Sequence, residues 1–292
     1  MNMPIMQISN NLPISLRTLD ELLGNSLTSS VCVNSHRNTK IWVLTGMLAH
    51  NLESFTDSVV VRDSIEKEKK FGDHPIGIVG GKEIIENVLL NPHSNFFERA
   101  HAEDVMYQKW PVVTKQSKLF ELLDNWRSTK RAFAIIPNEL NDYSPISTRR
   151  LLEIGMKVKT DITISELPKK RLVTFKKDDK IGDIMNLMLK NKTRKLILEG
   201  SASFISDRII VEKIAEDLKF LRDVENFLLL PIKNFRLENV KEVQENLSLP
   251  EASKLLYEME HPYLMCKDHV LSPFDVCMAL ASEELTEYDL YK

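Results

Sequence analysis

The residues best placed to do chemistry lie where a short apolar strand runs straight into a helix. In HVLSPFDVCMALASEE that junction is Ser272-Pro273-Phe274-Asp275. Ser is a favoured N-cap, Pro fits the first helical position, and an acid three residues after the cap suits both a capping box and the helix dipole. The same residues have a second use. A helix N-terminus presents free N–H groups and partial positive charge to a phosphate, and a nearby carboxylate can accept hydrogen bonds from a vicinal diol. Three more junctions share the form: Gly80-Gly81-Lys82-Glu83, Ser147-Thr148-Arg149-Arg150 and Ser206-Asp207-Arg208-Ile209. Arg149 and Arg208 stand at matching places, where a guanidinium either grips phosphate with two parallel bonds or is simply solvated. Lys192, Arg194 and Lys195, at the start of the strand in KNKTRKLIL, extend such a basic pocket or else line a solvated strand edge.

Other chemistry is poorly represented. The seven histidines show no HxxxH or HExxH spacing, and no Ser–His–Asp set, Walker loop or Rossmann glycine fingerprint is present, so neither a metal nor a catalytic function is expected. Cys32, Cys266 and Cys277 lie in apolar runs without CxxC spacing, as reduced core thiols do, which points to a cytoplasmic location. The N-terminal MNMPIMQISNN has no basic region followed by an apolar stretch, and no run approaches the roughly 20 apolar residues of a membrane span. Net charge is −3 and is balanced between the halves of the chain, which disfavours duplex nucleic acid as a partner. Single-stranded binding through Arg149, Arg150, Arg194 and Lys195 lacks the interleaved aromatics it needs.

Repeated elements position the four junctions. In RLVTFKKDDKIGDIMNLMLKNKTRKLILEGSASFISDRIIVEKIAEDL, a strand over Arg171 to Phe175 precedes a helix capped by Asp178 or Asp179. A hairpin turning at Gly200-Ser201 follows, and a last helix closes the unit. The order strand–helix–strand–strand–helix recurs from Trp110, near the C-terminus from VKEVQ, and more loosely from VCVN, where the charged SIEKEKKFGDH reads as a solvated insertion. The last helices begin at Gly80, Ser147, Ser206 and Ser272, an almost even spacing. A unit of about 60 residues has too little core to stand alone, so pairs packed across their sheets are expected.

This pattern resembles the cystathionine β-synthase (CBS) domain, a βαββα motif that works in tandem pairs called Bateman modules. The resemblance implies an α/β (α+β) fold of four motifs, over residues 15–97, 103–156, 163–219 and 226–288. They would pair as modules 1–156 and 157–292 in a flattened disc. The arrangement is similar to the gamma subunit of the AMP-activated protein kinase, in a stand-alone archaeal or bacterial form. It further implies a non-catalytic regulatory protein that needs no cofactor. Such a protein binds AMP, ADP or ATP, less readily S-adenosylmethionine, and signals to a partner protein or a second copy of itself. In the family the hydroxyl and Arg of the junction approach phosphate and its Asp holds the ribose. Carried onto this chain, the nucleotide residues are Ser272, Asp275, Ser206, Arg208, Arg194, Ser147 and Arg149. Only the fourth junction has both Ser and Asp. The second has Arg150 and the third Ile209 at the Asp position, and the first has Glu83 without the hydroxyl. Those losses leave a ligand-free scaffold as the alternative.

Overall fold

The computed structural model describes residues 12–50, 58–63, 75–140, 142–170 and 172–288, without the side chain of Leu218. The SIEKEKKFGDH stretch and the N-terminal MNMPIMQISNN lie outside the described residues.

Four helices show one burial pattern. Ile41–His50 buries Ile41, Leu44, Thr45 and Leu48, and Leu119–Thr129 buries Leu119, Leu122, Leu123 and Trp126. Ile181–Lys190 buries Ile181, Ile184, Met185 and Met188, and Leu249–Glu258 buries Leu249, Ala252, Ser253 and Leu256. Each follows i, i+3, i+4, i+7, one stripe of a 3.6-residue helix. Each leads into a hairpin: Ser58–Arg62 with Pro75–Gly80, Phe133–Pro137 with Tyr143–Ser147, Lys195–Leu198 with Ser203–Ser206, and Leu264–Cys266 with His269–Leu271. The last helices, Gly81–Leu90, Thr148–Gly155, Asp207–Glu216 and Pro273–Ala279, have Gly80, Ser147, Ser206 and Ser272 as their N-caps, where the repeat register puts them.

Strand alternation divides the core. In Ser58–Arg62, Val59 and Val61 face the helices, while Val60 joins Ile78, Phe133 and Ile135 between the sheets of the first two repeats. On the other side of the molecule, Phe204 of the third repeat meets Tyr263 of the fourth edge-on, with ring centroids 4.9 Å apart. Sheets therefore pack within a pair. Helices pack between pairs: one core joins the helices of repeats one and three, another those of repeats two and four. The segments linking paired repeats bind both sheets. Tyr107 bridges Ile78 and Val112 bridges Ile135, while Glu238–Asn239 pairs with the third repeat's hairpin and Lys241–Glu242 with the fourth's.

Some local expectations need correction. Neither Asp178 nor Asp179 caps the helix of the third repeat. Its N-cap is Lys180, whose N–H donates to Asp183 at 3.3 Å, while Asp179 accepts from the Lys176 N–H and closes the preceding turn. The first strands are short: Asn34–His36 replaces VCVN, Thr174–Phe175 is what forms of Arg171 to Phe175, and WPVVT contributes only the Val112 bridge. These segments sit at sheet edges, where few ladder bonds hold them. All three cysteines are free and buried, and burial pushes the Cys32 thiol up to about 12.

Candidate ligand-binding site

Hairpin register brings the chemistry together. Phe133 pairs with Ser147 and Lys195 with Ser206, so the turn before each middle strand lies beside a helix N-cap. In the third repeat the Asp207 N–H donates to the Arg194 carbonyl at 3.0 Å, and the Arg194 Nε donates to the Asp207 carboxylate at 2.5 Å.

A cavity of about 400 Å³ opens where three repeats meet. The first supplies Gly80, Gly81, Lys82 and Glu83, the second Lys130, Arg131 and Phe133, and the third Met188, Lys192, Arg194 and Asp207. Its walls mix cations, the carboxylates of Glu83, Glu86 and Asp207, hydroxyls and apolar surface. At its edge Glu83 is almost fully buried: one carboxylate oxygen accepts the Gly80 N–H at 3.0 Å and the other pairs with Arg131. The Arg131 guanidinium in turn lies 3.7 Å from the centre of the Tyr107 ring. Burial raises the Glu83 carboxyl above its ordinary range even though Arg131 and the Gly80 N–H pull it down. Gly81 matters through its missing side chain. A Cβ there would come within 2.7 Å of the Asp207 carboxylate, so the first turns of the last helices of repeats one and three can touch only because Gly81 is bare.

Of the seven residues carried over as nucleotide ligands, Arg194 alone lines this cavity, joined there by the GGKE junction, Lys192 and Asp207, which the sequence also singled out. Ser272 and Asp275 are together at the fourth junction, but engaged. Asp275 accepts the Ser272 N–H at 2.9 Å and its hydroxyl at 2.5 Å, and pairs with Lys170. Half-buried Lys195 is a further source of charge beside it. Burial pushes the Asp275 carboxyl up, but Lys195, Lys170 and these hydrogen bonds together hold it below its ordinary value. Lys195 is itself lowered to about 8, by burial first and by its cationic neighbours Lys170 and Arg194, against the opposing pull of Asp275. Its ammonium lies 4.7 Å from the centre of the Tyr263 ring.

The remaining residues are dispersed. Ser206 accepts the Ile209 N–H at 3.3 Å as an ordinary cap. Arg208 stands 3.8 Å from Glu212, whose carboxyl burial pushes up to about 7, in a cluster with His261. Ser147 is buried at the second junction, and Arg149 lies against the Tyr257 ring of the fourth repeat at 5.0 Å. Arg150 fills the second junction. It bonds Glu153 at 2.7 Å and the hydroxyls of Ser29 and Ser30 at 3.2 and 3.0 Å. The cavity residues missed from sequence, Lys130 and Arg131, lie in the turn before a strand, the same place as KNKTRKLIL. That equivalence was the available signal. Among the described residues no cluster of three metal-ligating side chains occurs, and no helix is long and apolar enough to cross a membrane.

No family model matches the chain, and no curated relative matches it. Solved structures do. A Methanocaldococcus jannaschii protein, described as a candidate archaeal homolog of γ-AMPK, superposes with a TM-score of 0.70 at 14% identity, covering 87% of this chain and 98% of that one. A conserved Pyrococcus horikoshii protein gives 0.47 at 11% identity over 77% and 91% of the two chains. A CBS-domain protein of Agrobacterium tumefaciens gives 0.36 at 15% over 51% and 96%. The repeat order, the sheet packing within pairs and the first of these superpositions agree: the chain has the fold of a four-CBS-domain protein, two Bateman modules arranged like the AMPK gamma subunit.

Proposed function

We propose that this chain is a non-catalytic regulatory protein that binds an adenine nucleotide and passes its bound state to a partner protein. The observation that carries the reading is the cavity joining three repeats. Its volume falls in the range of small-molecule sites, about 300–1,000 Å³. Ile78, Phe133, Met188 and Leu189 offer apolar surface to a base, and the surrounding cations suit phosphates. AMP, ADP and ATP are the candidate ligands, with S-adenosylmethionine weaker because it brings no phosphate to those cations. A ligand touching both modules signals only if its affinity differs between two module arrangements. Ser272 and Asp275 form a second candidate site, reached when Lys170 leaves the carboxylate.

Isothermal titration with each nucleotide tests this. Binding is expected in the wild type and in Asp275→Ala, and loss in Ala132→Trp, which fills the cavity wall. Absence of heat with every adenosine ligand rejects the reading. It would favour the scaffold alternative, which draws its own support from Arg150 filling the second junction and Lys170 covering the fourth.

A further inference from the structure

Three residues other than glycine have positive φ among the described residues, and all three are lysines: Lys130 at 55°, Lys192 at 51° and Lys267 at 53°. Left-handed backbone is where glycine is ordinarily favoured after a helix, because a Cβ is strained there. A long cationic side chain at such a position calls for a reason. Lys267 has one, since it turns the hairpin of the fourth repeat and pairs with Glu245. Lys130 and Lys192 each close a helix end through their backbone, the Lys192 N–H donating to the Leu189 carbonyl at 3.1 Å, but that role asks for no ammonium. Neither forms an ion pair with a described carboxylate, and both line the same cavity. They are also structural equivalents. Lys130 ends the helix Leu119–Thr129 of the second repeat, and Lys192 follows Ile181–Lys190 in the third, each three residues before its strand begins.

The neighbouring guanidinium groups already have work. Arg131 neutralises buried Glu83 and Arg194 holds buried Asp207. The two lysines are thus the cavity's uncommitted charge, one from each module. Resting on the reading of this cavity as a nucleotide site, we propose that Lys130 and Lys192 form a two-sided clamp for the ligand's phosphates. Backbone strain is tolerated at both positions because glycine has no ammonium to offer. A phosphate held between them ties the second repeat to the third, and so one module to the other.

The test uses the full chain with ADP, adenosine and inorganic pyrophosphate as probes. The variants are Lys130→Gly/Lys192→Gly and Lys130→Arg/Lys192→Arg. The clamp predicts that the double glycine loses ADP affinity by about tenfold or more per lysine, while the double arginine keeps it within a few-fold. Adenosine, with no phosphate, binds all three proteins alike. Without ligand, the double glycine melts at the same temperature as wild type or up to about 2–4 °C higher, because strain is relieved. A large fall in that melting temperature overturns the proposal, since the lysines would then serve the fold. Equal ADP affinity in wild type and double glycine overturns the clamp and leaves the nucleotide reading standing. Lysine-dependent binding of pyrophosphate without binding of ADP or adenosine supports the clamp and rejects the adenine reading. Silence from every probe rejects both.

Discussion

Glu83 in the first repeat and Asp275 in the fourth occupy the same place, three residues after the N-cap of the last helix, yet their carboxyl groups are displaced in opposite directions. Glu83 is 4% exposed and has one cation, Arg131, itself 12% exposed. Burial dominates and raises it. Asp275 is 7% exposed but stands near two lysines and the Ser272 hydroxyl, which together overcome burial and lower it. The first junction opens on a cavity, while the fourth is covered by Lys170. An acid at this position therefore does not make a site by itself. What covers it, and what neutralises it, decide.

The contrast is broken most sharply at Arg131. Arg131→Ala leaves Glu83 buried without its counter-ion, an expected loss of about 3–5 kcal/mol in denaturant unfolding. Adding Glu83→Gln to it should recover much of that loss. If Arg131→Ala costs under about 1 kcal/mol, Glu83 is neutral in the fold and the pairing argument fails. Gly81→Ala comes next. Its Cβ would press on an Asp207 carboxylate that Arg194 and the Arg208 N–H hold in place, so about 1–3 kcal/mol is expected from forced displacement at the first junction. A melting temperature unchanged from wild type would show that Asp207 moves aside freely.

The two acids also differ in how pH acts on them. Asp275 is lowered from 3.8 in the fold, so its charge contributes stability that is present above pH 3.8 and lost as pH falls through the lower folded value. Asp275→Asn should therefore be less stable than wild type at pH 7, by about 1–2 kcal/mol from the weakened charged hydrogen bonds, with the gap closing in acid. Glu83 is raised from 4.5, so its contribution is present below pH 4.5 and is lost as pH rises through the folded value. Melting curves from pH 3 to 8 should show both neutral variants following wild type in acid and separating from it toward neutral pH in opposite directions, Asp275→Asn losing and Glu83→Gln gaining stability relative to wild type. Parallel curves would remove the distinction.

Much of this was legible in the sequence because local patterns carried it. Helix stripes, hairpin turns and cap chemistry put Gly80, Ser147, Ser206 and Ser272 at helix starts, and the structure has all four there. The location of the cavity was not legible. Comparing SPFD with GGKE favours the junction with Ser and Asp, but nothing local says that Lys170, 105 residues before Asp275, lies over it. Nor does STRR reveal that Arg150 reaches back to Ser29 and Ser30. The docking of repeat one on repeat three depends on a bare Gly81 meeting Asp207, a contact between segments 126 residues apart that no period encodes. Cap assignment failed at Asp178 and Asp179 for a smaller reason. Three consecutive polar residues all suit a helix start, and Asp183 decided among them by reaching back to the Lys180 N–H.

Lys170→Ala should have the smallest effect of the series, and it isolates what covers the fourth junction. Lys170 is 60% exposed, so its pair with Asp275 is largely screened by water. Its removal leaves the charge of Lys195 and the Ser272 hydrogen bonds in place. The expected cost is under about 1 kcal/mol and should vanish near 0.5 M salt, where exposed pairs are screened over a few ångströms. The Arg131→Ala loss, arising in a largely buried pair, should persist at the same salt. If Lys170→Ala instead costs several kcal/mol and is indifferent to salt, the fourth junction is as closed and as structural as the first is open. Lys170 would then be part of the fold rather than a cover over an available carboxylate.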